Sequence, residues 1–310
     1  MDDFKHIVKE ICDELNINMQ MASKDWMIIL EKNGIRKFLL GTKFDLNSYA
    51  LGSIFDDKYA TYEMLKNLNL PVIEHEILFS PRNKCEFALG SNLYSDALTF
   101  FEKNNQNIVI KVNNGHQGKG VYHVTNEKDI KIILDCLFVN NYSLSLCPYY
   151  DIKSEYRVIM LDDYPELIYK KIKPIIIGDG QSTVKQLLQK LNQSFTYNKD
   201  VFSEKEYSRV LDKGEVFEYN WQFNLSNGAS MTMEIDKSVK NDVLNLAVCV
   251  AKKCGLRFAS VDIIELHDGS LMVLEINCGV ATKHFREIHP NGYEIAKNIY
   301  KKAIMKMFNL

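Results

Sequence analysis

The chain has 310 residues, with 38 lysines and arginines against 40 aspartates and glutamates and a net charge of −2. That length supports two or three packed lobes, and so balanced a charge gives no bulk field to recruit nucleic acid or an acidic membrane. Seven cysteines, odd in number and without a Cys-x-x-Cys pair, argue against a disulfide framework or a zinc site and for buried thiols in a reducing compartment. No apolar run approaches the roughly 18–20 residues that span a bilayer. The start, Met1-Asp-Asp-Phe-Lys, lacks the features of a signal peptide, so a cytoplasmic protein is expected, without a nucleic-acid or membrane partner.

In chain order, residues 1–54 read as a lead-in. Phe4, Ile7, Val8, Ile11, Cys12 and Leu15 are spaced as one helix face. Asn33-Gly34, between apolar runs from Trp26 and from Ile35, predicts a hairpin. Residues 55–145 mix helix and strand signals. Within them Ile108-Val-Ile-Lys111 reads as a buried strand ending in a lysine, followed by Val112-Asn-Asn-Gly115-His-Gln-Gly118-Lys119-Gly120-Val121. Glycines let successive backbone N–H groups turn toward a bound anion without a Cβ clash, and Lys111 and Lys119 would add positive charge on either side. The segment has neither the Walker nor the Gly-x-Gly-x-x-Gly spacing. An ordinary glycine-rich turn has the same composition, so on this segment alone both readings stand.

From 146 to 310, β-rich sequence alternates with helices predicted at 182–192 and 238–253. The second helix shows Val239, Val243, Leu246, Ala247 and Val250 on one face, with Ser238 or Asp236 as its cap and Gly255 at its exit. Asn192 to Tyr207 is polar and aperiodic and reads as an excursion. Near the end, Phe258–Glu265 and Val273–Asn277 are strand-like runs flanking the turn His267-Asp-Gly-Ser. If they pair, Asp262, Glu275 and Asn277 converge on one face, because Glu275 and Asn277 are two residues apart. Three oxygen donors at a strand pair suit a hard cation such as Mg2+, which keeps waters and shares its remaining positions with phosphates. Solvated acidic residues on a strand edge are the alternative. A candidate phosphate loop followed by a candidate metal site points to ATP.

These blocks, in this order, resemble the ATP-grasp ligases, especially the cyanophycin synthetase and bacterial glutathione synthetase branch, over about residues 53–280. Asp57-Lys58 with Thr61, Leu65 and Leu70-Pro71-Val72 looks like the start of the ATP-grasp region. Lys111 through Val121 resembles the family's nucleotide lysine and glycine-rich loop, and Glu155-Tyr156-Arg157-Val158 its acidic-Tyr-Arg strand. Gly178-Asp179-Gly180 with Thr183-Val184 and Leu187-Leu188 is close to a block of the cyanophycin branch. Asn224-Leu225-Ser226-Asn227-Gly228 matches that branch's Asn-Leu-Ser-Thr-Gly turn with one change. Asp262, Glu275 and Asn277 fall where the family places its magnesium ligands.

The resemblance implies an α+β ATP-grasp fold: two lobes, 55–145 and 146–310, clasp ATP behind the short lead-in. It implies an enzyme that transfers the γ-phosphoryl of ATP to a carboxylate and lets an amine attack the acyl phosphate, joining small molecules such as amino acids or a peptide. Lys111 and the loop residues Gly115, His116, Gln117, Gly118, Lys119 and Gly120 would hold ATP. Mg2+, or Mn2+ in its place, would bind Asp262, Glu275 and Asn277. Arg157 would contact the substrate carboxylate or the moving phosphoryl, although a surface cation on that strand fits too. Lys171 would neutralise phosphate. Asn224, with Ser226 and Gly228, would either donate to the reacting carboxyl or only close a tight turn.

Two departures from the family pattern stand out. Pro148 lies about where relatives carry a ribose-binding glutamate, with Asp151 nearby, and Cys278-Gly279-Val280 replaces the usual Pro-Gly turn. Cys278 is not read as a nucleophile, because acyl-phosphate chemistry needs no covalent enzyme intermediate. A small-molecule kinase and a nucleotide-binding scaffold without chemistry are the competing classes, and a homo-oligomer is left open.

Overall fold

The computed structural model describes residues 3–80, 82, 93–116, 118–191 and 204–310. The lead-in opens with α1 (Asp3–Leu15), which buries Phe4, Ile7, Val8, Ile11 and Cys12, while Leu15 at its end is half-buried. Strands β1 (Asn18–Ala22), β2 (Met27–Lys32), β3 (Ile35–Leu40) and β4 (Lys43–Phe44) follow as a sheet in chain order. Asn33 and Gly34 both take positive φ, 52° and 78°, and set Lys32 opposite Ile35. A two-residue turn of that hand matches the twist of its strands, so the expected hairpin forms.

Helices α2 (Tyr49–Asp56) and α3 (Lys58–Asn67) meet at Asp57, which ends one and caps the other through its carboxylate on the Ala60 N–H at 2.8 Å. Next come β5 (Glu76–Phe79), α4 (Leu93–Lys103), β6 (Ile108–Val112), β7 (Val121–Val124), α5 (Glu127–Phe138) and β8 (Ser143–Pro148). Their strands form an antiparallel sheet in the order β5-β8-β6-β7. Ile108, Ile110, Leu144 and Leu146 on one face pack against Phe100, Phe101, Ile130 and Leu134 of the two helices. The other face is thereby left for Lys111 and Ser145, which are register partners.

The remaining elements are β9 (Ile152–Leu161), β10 (Tyr164–Ile172), β11 (Ile175–Ile177), α6 (Val184–Leu191), α7 (Glu204–Ser208), β12 (Val216–Glu218), β13 (Ser230–Thr232), α8 (Lys237–Cys254), β14 (Phe258–Leu266), β15 (Leu271–Asn277), α9 (Lys283–Ile288) and α10 (Gly292–Phe308). The chain is therefore mixed α and β, as expected. It divides into two compact units, Met1–Lys170 with Thr232–Leu310, and Lys171–Met231.

In the larger unit β10, β9, β14 and β15 are successive neighbours in one sheet. Tyr156, Val158, Met160, Ala259, Val261 and Ile263 form its core face against Val243, Ala247 and Val250 of α8. Of the two candidate caps for α8, Asp236 accepts the Ser238 and Val239 N–H groups, and Gly255, at φ 68°, ends the helix. Alternation on β9 and β14 then sends Arg157 and Asp262 to the opposite face.

The smaller unit is closed by Ile176, Val184, Leu187, Leu188, Tyr207 and Leu211. Its Gly-Asp-Gly block is architectural. A Cβ on Gly178 would lie 2.0 Å from the Asp212 carbonyl oxygen. Asp179 accepts bonds from the backbone N–H groups of Gln181 and Ser182, from the Ser182 hydroxyl and from Lys190. Those bonds, the Ser182 N–H foremost, hold its carboxyl well below the usual range. Residues 192–203 of the expected excursion lie outside the described residues. No helix among the described residues is long and apolar enough to cross a membrane.

Candidate active site

Register builds the centre of the site. Asp262 pairs with Arg157 on one neighbouring strand and with Glu275 on the other, so three charged side chains stand in a row across β9, β14 and β15. Arg157 Nε and Nη2 donate to Asp262 Oδ1 and Oδ2 at 2.6 and 2.5 Å. Glu275 Oε1 lies 3.9 Å from Nη2 and accepts the Asn277 Nδ2–H at 3.0 Å. Burial opposes the Arg157 charge, but Asp262, Tyr169 and Glu275 hold the guanidinium well above its ordinary pKa. Asp262 is fully buried, and a planar fork on both oxygens is what makes a sealed carboxylate tolerable.

A bulge decides which way Glu275 faces. Asp262 opposes Glu275 but Ile263 opposes Val273, leaving Leu274 as the extra residue. Without it Val273 and Glu275 would share a face. With it Val273 and Ile276, both buried, reach the core while Glu275 and Asn277 stay with Arg157 and Asp262.

The glycine-rich loop is stitched to the start of α3. Fully buried Asn113 donates Nδ2–H to Asp57 at 2.6 Å and accepts the Tyr59 N–H at 3.1 Å. Lys58 Nζ donates to the carbonyls of Asn113 and Gly115 at 3.2 and 2.6 Å. Burial, followed by the charge of Lys111, lowers the Lys58 ammonium to about 8, with Glu275 and Asp57 opposing. A Cβ on Gly115 would come within 2.9 Å of Val112 Cβ, and Gly118 and Gly120 take φ of 69° and 65°. Lys119 continues the turn, its N–H donating to the His116 carbonyl at 3.3 Å. Gln117 lies outside the described residues. Below the loop, buried His75 has Nδ1 2.5 Å from Ser145 Oγ. Burial, then Lys111 and Lys58, pull its pKa well below the ordinary value.

These parts meet. Lys58, His75, Gly115, His116, Glu275 and Asn277 line one cavity of about 20 Å³, with Asp56, Thr61 and Tyr62 on the α2–α3 side. Of these, Lys58 stands in the Asp57-Lys58 block of the sequence without an expected role, and His75 was not expected at all. Lys58 had a local signal, a lysine directly after the capping Asp57; His75 had none.

Lys171 and Asn224 belong to the smaller unit. Lys171, buried near the end of β10, is the first residue of the smaller unit. Asn224, in the same unit, caps the single turn Leu225–Asn227, its Oδ1 accepting the Ser226 N–H and hydroxyl. Gly228 completes that turn at φ 93°, where a Cβ would lie 2.3 Å from the Tyr219 hydroxyl oxygen. Pro148 closes β8 opposite Ile108, and exposed Asp151 pairs with His267 at 3.4 Å.

After Asn277 the chain is held from two sides. Gly279 bridges to Lys43, and the Val280 N–H donates to the Thr42 carbonyl at 3.1 Å. The buried Tyr300 hydroxyl donates to the Val280 carbonyl at 2.8 Å and lies 2.9 Å from Thr282 Oγ1. Cys278 is buried, and burial pushes its thiol up to about 11, far from a thiolate nucleophile.

No protein-family model matches the chain. It is 25% identical over 187 residues to the glutathione biosynthesis bifunctional protein GshAB of Streptococcus mutans, a match covering 52% of this chain and 25% of that protein. The solved bifunctional glutathione synthetase of Pasteurella multocida superposes with a TM-score of 0.57 at 16% identity, over 97% of this chain and 44% of its own. The fold is ATP-grasp. The D-alanine–D-alanine ligase of Bacillus anthracis superposes with a TM-score of 0.50 at 15% identity, over 82% of this chain and 69% of its own. The chain thus spans less than half the length of each of the two glutathione proteins.

In this ATP-grasp chain the donor set Asp262, Glu275 and Asn277 is all oxygen and fits a hard divalent cation. Glu275 is 38% exposed, and the Asn277 amide oxygen is left uncommitted by the bond its Nδ2–H makes to Glu275. Asp262 is fully buried and carries the Arg157 fork on both oxygens, so a cation there would share that carboxylate with the guanidinium. Among the described residues no three His, Cys, Asp or Glu side chains form a metal cluster.

Proposed function

We propose that this ATP-grasp chain is an ATP- and Mg2+-dependent carboxylate–amine ligase that forms an amide or peptide-like bond through an acyl phosphate. The observation that carries the proposal is the shared cavity: the glycine-rich loop and Lys58 lie across from Glu275 and Asn277, with Arg157 and Asp262 in the same row as Glu275. Phosphoryl transfer asks a protein for positioning and charge neutralisation rather than covalent help. Lys58 and Lys111 supply cations on the loop side, and Arg157, whose Nε and Nη2 hold Asp262, has its Nη1 side to offer a carboxylate or phosphoryl oxygen. Mg2+ held by Glu275, Asn277 and Asp262 would supply further neutralisation of the phosphate charge.

The cavity of about 20 Å³ is far below the roughly 300–1,000 Å³ of ordinary ligand sites, so in this reading the site opens further to admit a nucleotide. Closing again around the reactants would exclude water from an acyl phosphate that hydrolyses in solvent. The substrates in this reading are small carboxylates and amines of the amino-acid or peptide class, met in the cytoplasm. The lobes proposed for this mechanism are 55–145 and 146–310, behind the lead-in 1–54. Lys171→Met and Asn224→Ala test the phosphate-neutralising and donor roles that the resemblance assigns within the smaller unit.

The direct test is purified protein with Mg-ATP and pooled amino acids, following ADP, phosphate and condensed products by mass spectrometry. ADP and phosphate with a new amide establish the ligase. ADP with a phosphorylated alcohol replaces it with a kinase, and bound ATP without turnover replaces it with a scaffold. Glu275→Gln and Lys111→Ala should each abolish ADP formation; undiminished turnover in either overturns the site assignment.

A further inference from the structure

His75 has no part in the reading above, yet its surroundings are unusual for a core histidine. It follows the Leu70-Pro71-Val72 segment and is 3% exposed. Its ring lines the same cavity as Lys58, Gly115, His116 and Glu275. One ring nitrogen is spoken for, since Nδ1 lies 2.5 Å from Ser145 Oγ. Ser145 is itself fully buried and sits directly across from Lys111 in the sheet, so the ring is anchored to the strand pair that presents the lysine. The Tyr62 ring stands 6.3 Å away, tilted against it.

Two cations in the same neighbourhood, Lys111 and Lys58, act with burial to keep the imidazole neutral in the free protein. A neutral imidazole has one donor and one acceptor nitrogen, and the bond made by the first sets the role of the second. When the Ser145 hydroxyl donates to Nδ1, Nε2 carries the proton and becomes a donor on the cavity side. Lys58 and Lys111 charge this pocket to receive an anionic oxygen, and Nε2–H is a donor that such an oxygen can accept from.

We propose that His75 is a ligand-contacting residue of the cavity, held by Ser145 so that Nε2–H donates to a phosphate oxygen of the bound nucleotide. This rests on the reading of the cavity as an ATP site. Its distinguishing consequence is that the contribution of His75 belongs to the phosphates and not to the nucleoside.

The experiment measures ATP, ADP and adenosine affinity by calorimetry for the wild-type protein, His75→Leu, His75→Gln and Ser145→Ala. A hydrogen bond to a charged group is worth about tenfold or more in affinity. His75→Leu should therefore lose about tenfold toward ATP and ADP while adenosine affinity holds. His75→Gln, whose amide N–H can reach the place of Nε2, should keep most of the ATP affinity, and Ser145→Ala should fall between. Equal losses for ATP and adenosine assign His75 to packing and overturn the proposal alone, as does a His75→Leu protein that binds all three ligands normally. A wild-type protein that binds no nucleotide overturns it together with the ATP reading.

Discussion

Replacing Arg157 with methionine leaves the Asp262 carboxylate in a fully buried position after removing two charge-assisted bonds of 2.6 and 2.5 Å. Breaking a buried ion pair by removing one partner costs about 3–5 kcal/mol, a large share of the roughly 5–15 kcal/mol by which proteins are stable. A proton on Asp262 can relieve part of that cost, which makes the defect pH-dependent. In the variant the folded carboxyl titrates above its unfolded value of about 3.9, so the folded state binds more protons than the unfolded state in the window between. Stability of Arg157→Met should therefore fall as pH rises through that window, by up to about 1.4 kcal/mol per pH unit relative to wild type. Urea unfolding followed by circular dichroism at pH 5, 6, 7 and 8 reads this directly. Arg157→Met/Asp262→Leu, which removes both charges, should recover most of the loss. A cost below about 1 kcal/mol, the scale of an exposed pair, with no dependence on pH would refute the buried, mutually matched pair.

Two further outcomes follow from the same geometry. Lys58 titrates at about 8 in the free protein against an ordinary 10.5, so its folded state binds fewer protons than the unfolded chain between those values, and that penalty on stability is present below pH 8 and relieved as pH rises toward 10.5. A phosphate beside it restores the charged form, so nucleotide binding at pH 9 should take up protons, seen as calorimetric enthalpies that depend on buffer ionisation; a buffer-independent enthalpy, or one unchanged in Lys58→Met, contradicts the placement. Gly178→Ala sets a methyl group 2.0 Å from the Asp212 carbonyl oxygen, a backbone clash no rotamer relieves and worth about 1–3 kcal/mol. The unit Lys171–Met231 should then be cut faster in limited proteolysis, and an unchanged cleavage rate would mean that Gly178 is not the close-packed point the contact implies.

Much of the architecture is legible in short stretches of sequence. The buried side of α1, the Asn33-Gly34 hairpin and the exit of α8 at Gly255 follow from periodicity and from backbone preferences that act over a few residues. The parity of Glu275 and Asn277 is of the same kind, because side chains two apart on a strand share a face whatever the rest of the chain does. The glycine-rich loop also announces itself, since only residues without a Cβ pass so close to Val112.

Other features needed the folded chain. That Arg157 stands opposite Asp262, and Asp262 opposite Glu275, is a matter of register between strands more than a hundred residues apart in part, set by which faces the core of α8 accepts. The Leu274 bulge, which turns Glu275 away from the core although Val273 points into it, has no signature in the alternation of β15. Lys58 and His75 come to the cavity because Asn113, Asp57 and Ser145 hold distant segments together. Local sterics and periodicity act within a turn or a strand and are written residue by residue; register, burial and the charge around a side chain depend on segments that meet only when the whole core closes.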